Sequence, residues 1–287
     1  MVLSMDQNSV SHEEEVESGA RFGFGKNWQS FLKYLDDDRI SIAIEDLKAN
    51  LNENSLKGLT FLDIGSGSGL SSLAARKLGA KVHSFDYDTQ SVECTKELRR
   101  RYFPDDEDWV VETGSVLDKE YLDTLGSFDI VYSWGVLHHT GEMWAAMENG
   151  VKHVAEDGRT FIAIYNDQGG TSRRWLKVKK IYNVLPNPLN KIFAVVTYIP
   201  LELKSFAIGC LNGNPLSYFQ SIKNYRSARG MTYWHDAIDW IGGYPFEVAK
   251  PEEIFEFYKS HDMSLTKMKT CGGGLGCNVF VFKKSTS

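Results

Sequence analysis

The sequence predicts an α/β fold: a doubly wound, mostly parallel seven-stranded sheet with a helical cap inserted after the fifth strand. Three observations predict it. Short apolar runs alternate with helical spacing from residue 60 to residue 165, the first run ends in a turn of alternating glycines, and two further runs return near the end of the chain. Thr60–Ile64 is the first strand, stopped by Gly65-Ser66-Gly67-Ser68-Gly69, and Leu70–Leu78 carries Leu and Ala at helical spacing. Lys81–Phe85 is the second, ending at Asp86-Tyr87-Asp88, after which Thr89–Arg101 reads as a helix started by a capping Asp or Thr. Trp109–Val111 is the third and leads to Gly114–Asp118. Phe128–Ser133 is the fourth and leads to Trp134-Gly135 and a helix through about Ala155; Thr160–Tyr165 is the fifth. Strands and helices in this order require right-handed crossovers, which cover both faces of the sheet. About 85 residues of helical patterning follow, rich in aromatics and punctuated by Pro186, Pro188, Pro200 and Pro215. Pro251–His261 then reads as a helix with proline at its first position, and Met263–Thr270 and Asn278–Phe282 as an antiparallel hairpin. Its connection, Gly272–Gly276, reads as a plain turn.

The 287 residues are 42% hydrophobic and 24% charged, which supplies a core and excludes a disordered chain. A net charge of −6 argues against a nucleic-acid backbone as main partner. Four cysteines (Cys94, Cys210, Cys271, Cys277) without a C-x-x-C pair predict reduced thiols in a cytoplasmic protein, with no disulfide framework and no metal site. Residues 1–19, polar and carrying Glu13-Glu14-Glu15, read as a frayed, solvated leader rather than a signal peptide. The most apolar long stretch, Ile192–Cys210, is interrupted by Pro200, Glu202 and Lys204, so no membrane span is expected but a buried or lid helix, with an interfacial membrane helix as the lesser alternative. Arg173, Arg174, Lys177, Lys179 and Lys180 read as a solvated basic face, with contact to a phosphate or a membrane surface as the lesser alternative.

Open α/β sheets bind ligands beyond the carboxyl ends of their strands, near the point where strand order reverses. Gly65, Gly67 and Gly69 remove three Cβ atoms from one such turn, so the main chain can bend sharply and aim N–H groups at a ligand. Asp63, in the strand just before, can attract a cationic ligand or simply brace the turn. Asp86 ends the second strand, 21 residues after Gly65, where its two oxygens can accept from both hydroxyls of a ribose; its plain alternative is a helix cap.

Together these residues resemble the class I S-adenosylmethionine-dependent methyltransferases, over about residues 60–165 with a terminal hairpin at 263–284. The resemblance implies that S-adenosyl-L-methionine is the cofactor, that Gly65, Gly67 and Gly69 face its methionine part, that Asp86 holds the ribose, and that Ser115 and Val116 border the adenine. Asp63, Ser66 and Trp134 are counted with these cofactor-binding residues. Phe128-Asp129-Ile130-Val131, followed by Val136-Leu137-His138-His139, is similar to the small-molecule branch that includes ubiquinone-biosynthesis O-methyltransferases. In similar enzymes a segment before the core closes over the cofactor. Here Lys26, Asn27 and Trp28 would reach its carboxylate and cover its sulfonium with an aromatic face. The expected division is therefore an N-terminal helical lid (1–59), a cofactor-binding core (60–166), a helical cap over the acceptor (167–250) and a helix with hairpin completing the sheet (251–287).

Methyl transfer from a sulfonium is a direct displacement, so the protein must align the acceptor and, for a hydroxyl, remove a proton. His138 and His139 are candidate bases, of which at most one can face the pocket. His235, near Asp236 and Asp239, is the third. Tyr165 and Asn166, leaving the fifth strand, and Arg229, Tyr233 and Tyr244 in the cap are the candidate acceptor-binding residues. The expected function is methyl transfer to a small-molecule acceptor, most simply at oxygen: phenolic, saccharide or amino-acid-like. Sulfur or nitrogen acceptors, a non-catalytic cofactor-binding protein and a nicotinamide oxidoreductase stay open as alternatives. The last would carry G-x-G-x-x-G, whereas Leu70 follows Gly69 here. No nucleic acid is expected as partner, and a homodimer is allowed.

Overall fold

Every predicted strand forms on its apolar run. In the computed structural model, which describes residues 11–214, 216, 219–220 and 233–285, β1 (Thr60–Ile64), β2 (Lys81–Asp86), β3 (Trp109–Thr113), β4 (Phe128–Trp134) and β5 (Val154–Tyr165) run parallel. β6 (Met263–Lys269) and β7 (Cys277–Lys284) form the hairpin, and β7 pairs antiparallel with β5. The sheet order is β3-β2-β1-β4-β5-β7-β6, so strand order reverses between β1 and β4. The described helices are α1 (His12–Glu17), α2 (Gly25–Leu32), α3 (Asp37–Leu51), α4 (Leu70–Lys77), α5 (Thr89–Tyr102), α6 (Lys119–Leu122), α7 (Met143–Lys152), α8 (Gly170–Val184), α9 (Leu189–Leu211), α10 (Tyr233–Gly242) and α11 (Pro251–Lys259).

The sheet is buried on both faces, which is why its strands read as continuous apolar runs. Successive side chains feed opposite layers: Phe61, Ile130, Phe161 and Val281 pack under α3, α4 and α5, while Leu62, Val131, Ile162, Phe280 and Phe282 pack against α7 and α11. Asn166, the first residue after β5, bridges to Ala249, which returns the chain from the cap to the sheet.

The structure corrects four expectations. The helix predicted through Ala155 is a short 3-10 turn (Leu137–His139) followed by α7, and β5 already begins at Val154. A bulge explains this, because Phe128 pairs with Val154 but Ile130 pairs with Arg159. The N-terminal segment is not a frayed leader from residue 11 onward. Ser11 and Glu14 form a capping box for α1, and Thr89 donates to Glu13 at 2.9 Å, docking the helix on α5; residues 1–10 lie outside the described residues. Lys179 does not belong to a solvated face. It is fully buried, donates to the Trp240 carbonyl, and sits 4.6 Å and 4.8 Å from the Trp240 and Phe246 ring centroids. Finally, α9 is not a buried helix: among its described residues only Ala194 and Gly209 are buried. By length and composition alone it is apolar enough to cross a membrane.

The hairpin completes the core through Phe282, fully buried and stacked on Tyr258 with ring centroids 4.4 Å apart. Phe282→Ala is expected to cost about 3–5 kcal/mol, read as a lower midpoint in urea unfolding. A loss under about 1 kcal/mol would show that the hairpin is not part of the cooperative core.

Candidate functional site

The carboxyl ends of β1, β2, β4 and β5 open onto a cavity of about 1530 Å³ at the point where strand order reverses. One end is formed by the glycine turn. Gly65, Ser66 and Gly67 line it, Ser66 Oγ is 2.9 Å from Thr95 Oγ1, and the N–H groups of Gly65 and Ser66 donate to the Phe85 carbonyl. Gly67 has a φ of +54°, and a Cβ there would lie 3.2 Å from the Trp28 indole. Gly69 departs from expectation: it is not among the cavity-lining residues. It begins α4 at a φ of +80°, and a Cβ there would lie 2.8 Å from the Thr95 Cα.

The two carboxylates flank this turn. Asp63 is buried, accepts from Ser72 Oγ, and through Ser72 joins Ser84 (2.7 Å), which accepts from Trp109 Nε1 (3.0 Å). It therefore braces the start of α4 and also lines the cavity. Burial, reinforced by the nearby Asp86 charge, pushes its carboxyl up to about 7. Asp86 accepts from the Gly67 and Asp88 N–H groups, each at 2.9 Å, and burial pushes it up to about 6 despite these bonds. The capping alternative for Asp86 is taken by Asp88, which accepts from Gln90 N–H at 2.9 Å. Each Asp86 oxygen keeps a lone pair for a ribose hydroxyl. Ser115, Val116 and Trp134 line the same end, as expected; Trp134 is half exposed.

The N-terminal segment closes over this end through residues that sequence reasoning missed. The second Asp88 oxygen accepts from Gly25 N–H at 2.7 Å, and His12 Nε2 lies 3.8 Å from it. Arg21 donates to the carbonyls of His139 (2.7 Å) and Thr140 (3.3 Å), pairs with Glu15 at 2.6 Å, and lies 5.2 Å from the Tyr87 ring centroid. Trp28 faces the cavity, Asn27 is not among its lining residues, and the Lys26 side chain lies outside the described residues. The Ser11-x-x-Glu14 capping box was the available sequence signal for this docked segment.

The two histidines separate. His138 is fully buried and does not line the cavity; its Nδ1 accepts from Tyr165 N–H at 3.3 Å, its ring lies 3.9 Å from the Tyr165 ring, and burial holds its pKa well below the ordinary value. It is a packing residue, and the expectation of a base there is corrected. His139 lines the cavity, and its Nδ1 lies 2.6 Å from the Pro245 carbonyl. A carbonyl oxygen only accepts, so Nδ1 carries the proton and Nε2 keeps its lone pair. Burial, then the Lys179 charge, lowers its pKa to about 3. The ring is neutral and oriented.

Tyr165 lines the acceptor end with Trp175, Tyr198 and Trp240; its ring is 5.5 Å from Trp240, which is 5.4 Å from Trp175. Asn166 is corrected: it is buried outside the cavity, accepts from Asn278 at 3.0 Å and donates to Gly274 at 3.4 Å. It thereby holds the glycine connection of the hairpin, and Leu275, Gly276 and Cys277 from that connection reach the cavity, so it is more than a plain turn. Tyr244 is not among the lining residues; its ring lies 5.9 Å from Lys180 Nζ. Arg229 lies outside the described residues, as do the side chains of Tyr233 and His235, whose backbone belongs to α10. Arg174 and Lys204 also line the cavity, although the basic run around Arg174 signalled only a solvated face.

Gly69→Ala is expected to destabilise the protein by more than about 1 kcal/mol in urea unfolding, because the left-handed backbone and the Thr95 main chain both reject a Cβ. An unchanged midpoint would show that the turn relaxes around the methyl group.

Comparison with known proteins agrees with this site. Residues 62–160 match the family described as "Methyltransferase domain". The chain is 32% identical to a ribosomal protein L11 methyltransferase of Prochlorococcus marinus over 118 residues, 41% of this chain and 35% of that protein. It is 27% identical to a ubiquinone biosynthesis O-methyltransferase of Pelagibacter ubique over 135 residues, 47% of this chain and 52% of that protein. The chain thus spans about half or less of the curated relatives it matches. The crystal structure of magnesium protoporphyrin IX methyltransferase from Synechocystis with bound SAH superposes with a TM-score of 0.53 at 14% identity, over 91% of this chain and 94% of that one, which shows a shared fold. With the glycine turn and Asp86 at the reversal point of a seven-stranded sheet, the match identifies residues 62–160 as a methyltransferase domain.

Proposed function

We propose that the protein transfers a methyl group from S-adenosyl-L-methionine to the hydroxyl of a small aromatic acceptor. The observation that carries this reading is His139, neutral and oriented by Pro245, in one cavity with the glycine turn and a wall of aromatic rings. The residues present fit the cofactor. Asp86 offers acceptors for a ribose, Gly67 presents bare main chain to the cavity beside Trp28, and Asp63 and Asp86 place carboxyl groups where a cation is to be held. When bound, S-adenosyl-L-methionine supplies a methyl group on a sulfonium centre. Everything else is the work of this chain: Tyr165, Trp175, Tyr198 and Trp240 stack a planar acceptor, and His139 Nε2 accepts the hydroxyl hydrogen.

The low basicity of His139 narrows the acceptor. A weak base serves an acidic hydroxyl best, and a phenol (about 10) is far more acidic than a group resembling water (about 15.7). This favours the phenolic acceptor over the saccharide, in keeping with the ubiquinone-biosynthesis relative. A thioether acceptor would need no base, and activity that survives loss of His139 would point to it. A protein acceptor is the second reading, favoured by the ribosomal protein L11 methyltransferase relatives. The four cysteines are free thiols, which supports a reducing, cytoplasmic setting.

Radiolabel transfer from S-adenosyl-L-methionine to a panel of phenols tests the proposal. Turnover on a phenol with His139→Ala lowering kcat by about a hundredfold or more supports it, and binding without turnover on any acceptor overturns it. In calorimetric titration with S-adenosylhomocysteine, Asp86→Ala is expected to weaken binding about tenfold or more. The same affinity should fall as the pH is lowered through about 6, where Asp86 takes a proton and loses its charge. His139 stays neutral across that range, so loss of the step near 6 in Asp86→Asn, with the Asp63 step near 7 retained, assigns the dependence to Asp86.

A further inference from the structure

Methyl transfer leaves the outer surface of the cap unexplained. On α9, Leu189, Ile192, Val196, Ile199 and Leu203 are spaced by three and four residues and are 51%, 56%, 60%, 48% and 63% exposed. At about 100° per residue this spacing makes one apolar stripe along the helix. Ala194, off the stripe, packs with Tyr182 and Ile241 in the interior of the cap. Soluble monomers rarely expose a contiguous apolar patch of this kind without a partner for it.

The charge around the stripe identifies the partner. Residues 170–214 hold seven lysines and arginines and one acid, Glu202, in a chain whose net charge is −6. Lys179 is buried, and Arg173, Arg174, Lys177, Lys180, Lys191 and Lys204 are exposed. On the helical wheel Lys191 and Lys204 fall on opposite sides of the stripe, each about 100° from its centre. Lysines so placed can lay their methylene stems along an apolar phase and keep their ammonium groups at its polar boundary. A nucleic acid would engage the cations but strand the apolar stripe in water. A second copy would set two strongly cationic segments against each other.

We propose that the α8–α9 face of the cap docks on an anionic lipid surface, with α9 lying in the headgroup plane. An apolar stripe flanked by basic residues is the pattern of an interfacial helix, and Pro200, Glu202 and Lys204 oppose a spanning one. The cavity is walled in part by Thr197 and Tyr198 of α9, so the docked face and the acceptor end share a helix. The inference stands apart from methyl transfer, and its test needs no turnover.

The test is flotation of the full chain with phosphatidylcholine vesicles and with mixed phosphatidylcholine–phosphatidylserine vesicles. Binding to the anionic vesicles is expected, weakened by salt and by about fivefold for each of Arg173→Gln and Lys191→Gln. It should be lost in the triple variant Ile192→Glu/Ile199→Glu/Leu203→Glu, whose far-UV circular dichroism and melting midpoint should match the parent because all three side chains are exposed. Absence of binding to either vesicle overturns the proposal, as does equal, salt-insensitive binding to both. Light scattering that shows a dimer split by the triple variant also overturns it, by assigning the stripe to a second copy.

Discussion

The reversal of strand order between β1 and β4 is the constraint on which the rest depends. Parallel neighbours need crossover connections, and connections that leave β1 in one direction and β4 in the other cannot both cover the gap between them. The glycine turn, Asp86 and the 3-10 turn bearing His139 are three strand exits around that gap. Asp88 then ties the exit of β2 to the N-terminal segment through Gly25, and Arg21 ties the same segment to the exit of β4. The lid is therefore fastened on both sides of the opening by charged side chains bonded to main-chain atoms.

The chemistry of the acceptor end follows from a second constraint, a cation kept in the dry interior of the cap. The Trp240 carbonyl accepts from the Lys179 ammonium, and the faces of Trp240 and Phe246 lie against it. Its field, added to burial, is what holds His138 and His139 neutral. In the reaction proposed above, a base that must stay unprotonated beside a cationic cofactor would gain from this arrangement and give up basicity for it.

Much of the core was legible in the sequence because each strand of a sheet buried on both faces is a short apolar run bounded by Gly or Asp. The glycine turn and Asp86, which end two of those runs, were legible as cavity residues for the same local reason, and Trp28 through the family resemblance. The misses all depend on contacts distant in sequence. His138 and His139 are adjacent and chemically identical, and only the paths of Tyr165 and Pro245 decide which one meets the cavity. Asn166 looked like a ligand-facing residue at a strand end, but the hairpin claims its amide through Asn278. Arg21 sits in a stretch with no periodicity, and its partners are carbonyls more than a hundred residues away. The burial of α9 was misjudged because hydropathy along a segment says what is apolar and not what covers it.

The two raised carboxyls beside the glycine turn have a consequence for the unliganded fold. Asp63 and Asp86 hold protons up to about 7 and about 6, whereas an unfolded chain releases them near the ordinary 3.8, so the folded state binds more protons in that interval. Their contribution to stability is therefore largest in mild acid and declines as the pH rises through the folded values. A cation lodged between them reverses the balance by favouring the ionised pair, and the protons leave for solvent. With the cofactor's cation held at this site as proposed, its association would release protons near neutral pH, and the measured heat would change with the ionisation enthalpy of the buffer that receives them.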